Sequence, residues 1–207
     1  MIKIACFVIG MIGTNCYLLE DEATGALAVI DPGDHCDELM KAINDRGGKL
    51  DYILLTHGHY DHILGVGELC DRYHPTVCAS KQEVALIAEP SWSLSKKHGL
   101  TIQPFTVDKP LSDNETFLLG ETQITFILTP GHTMGSGCYI ADGCIFSGDT
   151  LFCTSIGRTD FPTSSMRDMM RSVSRLKNLE GDYDVYPGHD RFTTLERERK
   201  YNPYMQY

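Results

Sequence analysis

The stretch Leu54-Leu55-Thr56-His57-Gly58-His59-Tyr60-Asp61-His62 places four metal-capable side chains within six residues. It comes directly out of an apolar run, Tyr52-Ile53-Leu54-Leu55, that reads as a buried strand. At the end of an extended segment, side chains two positions apart project the same way, so His57 and His59 can face one ion together. Gly58 between them lets the backbone come close. If the chain then turns into a helix, Asp61 and His62 point elsewhere and can serve a second ion beside the first. Packing alone gives no reason to gather three imidazoles and a carboxylate at a strand exit, because each polar group buried there needs a partner.

Working outward, apolar runs near residues 2–9, 15–20 and 26–30 precede a helical pattern over about 36–46. Strand and helix signals in that order predict an α/β sheet. Cys36, Leu39, Met40 and Ile43 recur at helical spacing and are read as core. Beyond the histidine cluster, the periodicity of Ile63 to Tyr73 predicts one helix ending at His74-Pro75, followed by a short strand and helix. Residues 90–100 carry loop signals and the single tryptophan, Trp92. They either line an entrance or pack as a partly exposed loop, and packing is the favoured reading. The second half predicts strands near 115–118, 122–128, 137–141 and 144–147, a loop over 150–162, and a helix over 164–177. On that helix Met166, Met169, Met170, Val173 and Leu176 form an apolar face. A last strand, Tyr183 to Tyr186, leads into Pro187-Gly188-His189. The length fits one domain, 1–207, and no linker composition divides it.

Three further residues sit where an apolar strand pattern meets a turn: His132 in Thr129-Pro130-Gly131-His132-Thr133, Asp149 in Ser147-Gly148-Asp149-Thr150, and His189 in Tyr186-Pro187-Gly188-His189. Together they supply what a site at one edge of a sheet sandwich requires. His35, His74 and His98 are isolated and are read as surface or packing residues. Asp31, in an Asp-Pro-Gly turn, and Thr56, beside His57, are candidates to orient ligand imidazoles; an ordinary turn aspartate explains Asp31 equally well.

Composition narrows the function. With 28 acidic against 18 basic residues and a formal charge of −10, the chain is ill suited to a partner held by phosphate neutralisation, and no nucleic-acid partner is expected. Eight scattered cysteines, none in a C-x-x-C pair, read as small buried apolar residues in a reducing compartment. Lys3 followed by the apolar Ile4–Ile12 imitates a secretory signal, but no A-x-A-like cleavage site follows. The run instead passes through Gly10 and Gly13 into Thr14-Asn15-Cys16-Tyr17 and reads as two strands joined by a glycine turn. No segment approaches the roughly 18 to 20 apolar residues of a membrane span. A cytoplasmic protein with no membrane partner is expected, and the oligomeric state is left open.

With its H-x-H-x-D-H motif, the chain resembles the metallo-β-lactamase superfamily. Matches run from Thr14-Asn15-Cys16-Tyr17 and Ile30-Asp31-Pro32-Gly33 to Tyr186-Pro187-Gly188-His189. Within it, Ser155-Ile156-Gly157-Arg158-Thr159-Asp160-Phe161-Pro162 and Thr193–Arg199 look like the glyoxalase II branch. The resemblance implies a four-layer αβ/βα sandwich, with His57, His59 and His132 on one ion, Asp61, His62 and His189 on another, and Asp149 bridging. Asp61 and Asp149 are then the catalytic carboxylates. Such a donor set suits zinc and tolerates iron or manganese. The activity implied is hydrolysis of an acyl bond by a water shared between two divalent ions. The expected substrate is a small-molecule acyl thioester such as S-lactoylglutathione or a related acyl thiol.

Glyoxalase II proteins continue into a helical region that helps hold glutathione, and this chain ends at Tyr207, so the thiol stays open. Arg158 keeps a basic residue of the substrate loop, while Asp160 stands where glutathione-binding members have tyrosine. Arg158 either meets a substrate carboxylate or pairs with Asp160. A persulfide dioxygenase, which uses a single iron and also shows Gly-Arg-Thr-Asp-Phe, is the alternative; Pro162 after Phe161 favours the hydrolase. A non-catalytic metal-binding or redox-partner module is a further alternative, against which the complete ligand set argues. β-Lactamase or lactonase action also fits the bare fold, and the lack of a secretory signal argues against an antibiotic role.

Overall fold

The computed structural model describes residues 1–206. The chain opens with an antiparallel hairpin, β1 (Ile2–Ile9) and β2 (Thr14–Asp21), in register from Ile2 opposite Asp21 to Ile9 opposite Thr14. Its turn has Gly10 and Gly13 both at φ +71, a conformation that glycine adopts without steric cost. β3 (Leu27–Ile30) pairs antiparallel with β2. Then β4 (Tyr52–Leu54), β5 (Thr76–Ser80) and β6 (Lys109–Leu111) add in parallel, giving a six-stranded sheet in sequential order. Between them lie the helices α1 (Asp37–Asp45), α2 (Tyr60–Ile63), α3 (Val66–Tyr73), α4 (Glu83–Ala88) and α5 (Ser95–His98).

The second sheet comprises β7 (Thr116–Leu119), β8 (Thr122–Leu128), β9 (Gly137–Ala141), β10 (Cys144–Gly148), β13 (Asp184–Pro187) and β14 (Thr193–Thr194). Its spatial order is β14-β13-β10-β9-β8-β7, with β13 parallel to β10. A two-residue-per-strand hairpin, β11 (Leu151–Phe152) with β12 (Ser155–Ile156), follows β10. The helices α6 (Met166–Lys177) and α7 (Leu195–Tyr201) cover this half.

Alternation along the strands sorts the apolar residues into three cores, and three cores separate four layers. Leu18, Val29 and Ile53 face outward onto Leu39, Ile43 and Val66 of α1 and α3. Their neighbours Leu19, Ile30 and Leu54 face inward, against Phe126, Tyr139 and Phe146 of the second sheet. On the far side, Ile127, Ile145 and Val185 meet Met169, Val173 and Leu176 of α6 and Leu195 of α7. The order is helix, sheet, sheet, helix. Among the described residues no helix is long and apolar enough to cross a membrane.

Several elements depart from the sequence reading. The helix expected over 63–73 is two helices, broken at Leu64-Gly65, where the Gly65 amide donates to Pro32 O at 2.8 Å. A Cβ at Gly65 would lie 2.6 Å from Asp34 O, so the break is made by the Asp31–Asp34 turn lying against it. Met166 is 49 % exposed and leaves the apolar face of α6 to Met169, Val173 and Leu176, with Met170 half-buried. Cys6 is exposed, and Cys36, Cys70 and Cys153 are half-buried; only Cys16, Cys78, Cys138 and Cys144 are buried. The segment read as a loop over 150–162 contains β11 and β12, and α5 lies within the 90–100 loop.

Candidate metal centre

Four strand ends and one helix deliver the site. Past β4, the Leu55 amide still bonds Cys78 O at 2.9 Å and the Thr56 amide bonds Asp31 Oδ1 at 2.8 Å. His57 and His59 therefore leave the sheet from an anchored backbone, and α2 carries Asp61 and His62 round to the other side. His132 comes off β8 through Thr129-Pro130-Gly131, a turn seated on α6. Ser172 donates to Pro130 O and Ser164 to His132 O, both at 2.6 Å. A Cβ at Gly131 would lie 2.4 Å from Met169 Cα, so turn and helix meet backbone to backbone. Asp149 follows β10 and His189 follows β13. The His189 turn is tied to the first hairpin: Asn15 donates its side chain to Pro187 O and Asp190 O, each at 3.0 Å, and the Tyr17 hydroxyl donates to Pro187 O at 2.5 Å.

The side chains converge in two sets, His57 with His59 and His132, and Asp61 with His62 and His189, each set with its ligand atoms within 4.8 Å of one another. Asp149 lies between them, 3.4 Å from His132 Nε2, 3.5 Å from His62 Nε2 and 3.8 Å from His189 Nε2. A third grouping, Asp31 with His57 and His62, is also compact. Asp31 is already engaged there: it accepts from Thr56 Oγ1 at 2.6 Å and from His62 Nδ1 at 2.9 Å. These bonds assign the tautomers. His62 gives its Nδ1 proton to Asp31, His57 gives its own to Thr56 Oγ1 at 3.2 Å, and His132 gives its own to Arg158 O at 2.9 Å. All three present Nε2 to the site, and His59 Nδ1 lies 2.9 Å from His132 Nε2.

Two observations test whether this set fits a metal. Among the described residues, five buried side-chain polar atoms lack a hydrogen bond; four belong to these residues, and His57 Nε2, His62 Nε2 and Asp149 Oδ1 are the ones on the side of the site. A buried orphan is costly unless something coordinates it. Burial, reinforced by neighbouring rings, also holds His57 and His59 well below the ordinary histidine range, and burial depresses His132. Neutral imidazole is the form that binds metal. Around His62 burial disfavours charge, but Asp61, Asp149 and Asp31 outweigh it and raise the ring's pKa. Those carboxylates thus hold positive charge at the second set. The donors fit a divalent cation.

A cavity of about 540 Å³ opens above the site, with His59, Asp61, His132, Asp149 and His189 on its floor. Ile12, Phe152, Ile156 and Phe161 supply apolar wall, and Lys97, His98 and Arg158 lie at the rim. Arg158 reaches this rim with its fork closed on Asp160, at 2.9 and 2.7 Å, and its guanidinium 4.3 Å from the Phe161 ring centre. A second depression of similar size, between α4 and residues 100–107, is lined by no ionisable group.

The sequence reading did not anticipate His98 in this wall. His98 packs on Tyr60 with ring centres 4.6 Å apart, a contact that no short-range spacing signals. The 90–100 loop supplies Leu94, Lys97 and His98 to the cavity, whereas Trp92 borders a separate shallow depression. His35 pairs with Glu68 and His74 caps α3 in the left-handed conformation.

The fold and the site together define a four-layer sandwich with a candidate divalent-metal centre. The chain belongs to the metallo-beta-lactamase superfamily, whose family model matches residues 9–189. It is 34 % identical over 203 residues to a probable metallo-hydrolase of Streptococcus pyogenes, covering 93 % of this chain and 86 % of the relative. It is 31 % identical over 196 residues to the hydroxyacylglutathione hydrolase GloC of Haemophilus influenzae, covering 92 % of each. Among solved structures it resembles the B3 metallo-beta-lactamase BLEG-1, with a TM-score of 0.90, 29 % identity and full coverage of both chains. It also resembles TTHA1623 in a di-iron-bound form, with a TM-score of 0.85, 30 % identity and coverage of 97 % and 99 %.

Proposed function

We propose that the chain hydrolyses an acyl thioester, of which S-lactoylglutathione is the test case, with two divalent ions, zinc expected. The observation that supports this most directly is the convergence of unpartnered buried nitrogens of His57 and His62 on Asp149, which lines a cavity with apolar walls. His57, His59 and His132 would hold one ion, Asp61, His62 and His189 the other, with Asp149 reaching both. Bound there, the ions supply a lowered pKa to water and polarisation of the acyl carbonyl.

The protein's own groups do the rest. Asp61 and Asp149 would accept hydrogen bonds from the attacking water and steer it between the two sets, and the proton it loses would pass to solvent through the open cavity. Phe152, Ile156 and Phe161 bind the acyl chain and exclude bulk water. Asp31, Thr56 and the Arg158 carbonyl fix the ring orientations on which this alignment depends. A thiol leaving group, with a pKa of about 8.5, departs without a dedicated acid, and no serine or cysteine nucleophile is required. The hydroxyacylglutathione hydrolase relative supports a thioester, and Arg158 is the candidate contact for a carboxylate on the substrate if it exchanges Asp160 for it.

Elemental analysis of anaerobically purified protein, with S-lactoylglutathione hydrolysis on the same sample, tests this. Two zinc ions per chain with thioester cleavage is the expected result. One iron per chain, no cleavage and oxygen-dependent turnover of a persulfide would replace the reading with a mononuclear-iron dioxygenase. His57→Ala and Asp149→Ala should each abolish cleavage and lower metal content; full activity in either rules out this site.

A further inference from the structure

One buried acid takes no part in the site as described. Glu83, in α4, is 0 % exposed, and both of its carboxylate oxygens are occupied. Oε2 accepts from the Gly58 amide at 2.7 Å. Oε1 accepts from the Thr133 hydroxyl at 2.5 Å and from the Gly135 amide at 2.9 Å. Gly58 lies between His57 and His59, and Thr133 follows His132. One carboxylate therefore grips both turns that make up the three-histidine set, although they stand more than 70 residues apart in the chain.

The glycines on either side report the same contact. A Cβ at Gly58 would lie 2.7 Å from both Leu86 Cδ2 and Ile87 Cγ1, and one at Gly135 would lie 2.5 Å from Ser80 Oγ and 2.7 Å from the Glu83 amide. Both turns are thus seated on α4 with no room for a side chain. Ser136 Oγ accepts from the Thr133 amide at 3.0 Å and lies 2.7 Å from Thr133 Oγ1, which aims the Thr133 hydroxyl at Glu83. Burial pushes the Glu83 carboxyl up to about 7, against the pull of its three donors. A residue serving only to fill space would not need an acid held at that disadvantage.

We propose that Glu83 is a positioning residue that sets the separation of the His57–His59 turn from the His132 turn, and so the affinity of the three-histidine set for its ion. The proposal rests on the metal-centre reading above. Glutamine has the same shape but turns an amide group toward at least one of the two backbone N–H donors, leaving that donor unpaired.

The test is titration of chelator-stripped protein with zinc against a chromophoric chelator, repeated with cobalt(II) to read the ligand field. The wild-type chain is expected to take up two equivalents. Glu83→Gln should weaken one equivalent by about 10- to 100-fold and leave the other within about threefold. The cobalt(II) spectrum of its remaining tight equivalent should match that of His132→Ala. Thr133→Val, which keeps the acid and both amides, should give a smaller loss in the same equivalent, and Thr133→Ser should restore it. Glu83→Gln with wild-type affinity for both equivalents, or with equal loss of both, overturns the proposal. Should Glu83→Gln fail to fold, Thr133→Val decides: unchanged affinity overturns the role. A wild-type chain that binds no divalent ion overturns the metal-centre reading itself, a failure visible before any variant is made.

Discussion

Asp31 fixes two other side chains from a backbone position that few residues tolerate. It stands at φ +49 and accepts from the Thr56 amide, the Thr56 hydroxyl and His62 Nδ1. Asparagine adopts this conformation almost as readily, so Asp31→Asn keeps the turn but presents an amide group to one of those donors. Metal affinity or thioester hydrolysis should fall about 10- to 100-fold, measured by zinc titration and by initial rates. Rates within twofold of wild type would reduce Asp31 to a turn residue. Sequence alone left Asp31 balanced between these roles, because its partners lie 25 and 31 residues away. Glu83 was not legible at all: a lone glutamate in a short amphipathic segment looks like solvated surface, and only its burial reveals its partners. The histidines were legible because their spacing itself implies a shared direction.

At the level of elements, long amphipathic runs were legible and short or tertiary-imposed features were not. α1 follows its apolar spacing, with Leu39, Met40 and Ile43 buried. α7 carries no apolar stripe; it is anchored by Leu195 and by buried Glu198, which accepts from Thr193, the Thr154 amide and Asn202. No hydrophobic period announces such a helix. β2 ends on a comparable acid. The Thr122 hydroxyl at 2.6 Å and the Thr24 hydroxyl at 2.7 Å, with two backbone amides, hold the Asp21 carboxyl well below its usual range. The unfolded chain, with an aspartate pKa of about 3.9, binds this proton first as pH drops. The contribution of Asp21 to stability is therefore complete above that value and is lost as pH falls through the lower, folded one. Thermal melts of Asp21→Asn should show a lower melting temperature than wild type at pH 7, with the gap narrowing below about pH 4. A gap that stays constant from pH 7 to pH 3 would contradict this.

Across the whole molecule the candidate ligands are drawn from both sheets. His57, His59, Asp61 and His62 belong to the first half, and His132, Asp149 and His189 to the second. An ion held between them links the two layers and binds only the folded state. Chelation should therefore lower the melting temperature of the entire chain in one transition, and zinc at 100-fold over its dissociation constant should restore about 2.7 kcal/mol. Calorimetry with and without chelator measures this, and an unchanged transition would place the ions outside the load path of the fold. The bonds from Asn15 and Tyr17 to the Pro187-Gly188-His189 turn carry one more implication. The first hairpin is synthesised early, yet the loop it secures follows about 170 residues later. A nascent polypeptide therefore carries His57 and His59 for more than 70 residues before His132 follows. The three-histidine set can be complete once His132 has emerged, whereas the second set waits for His189.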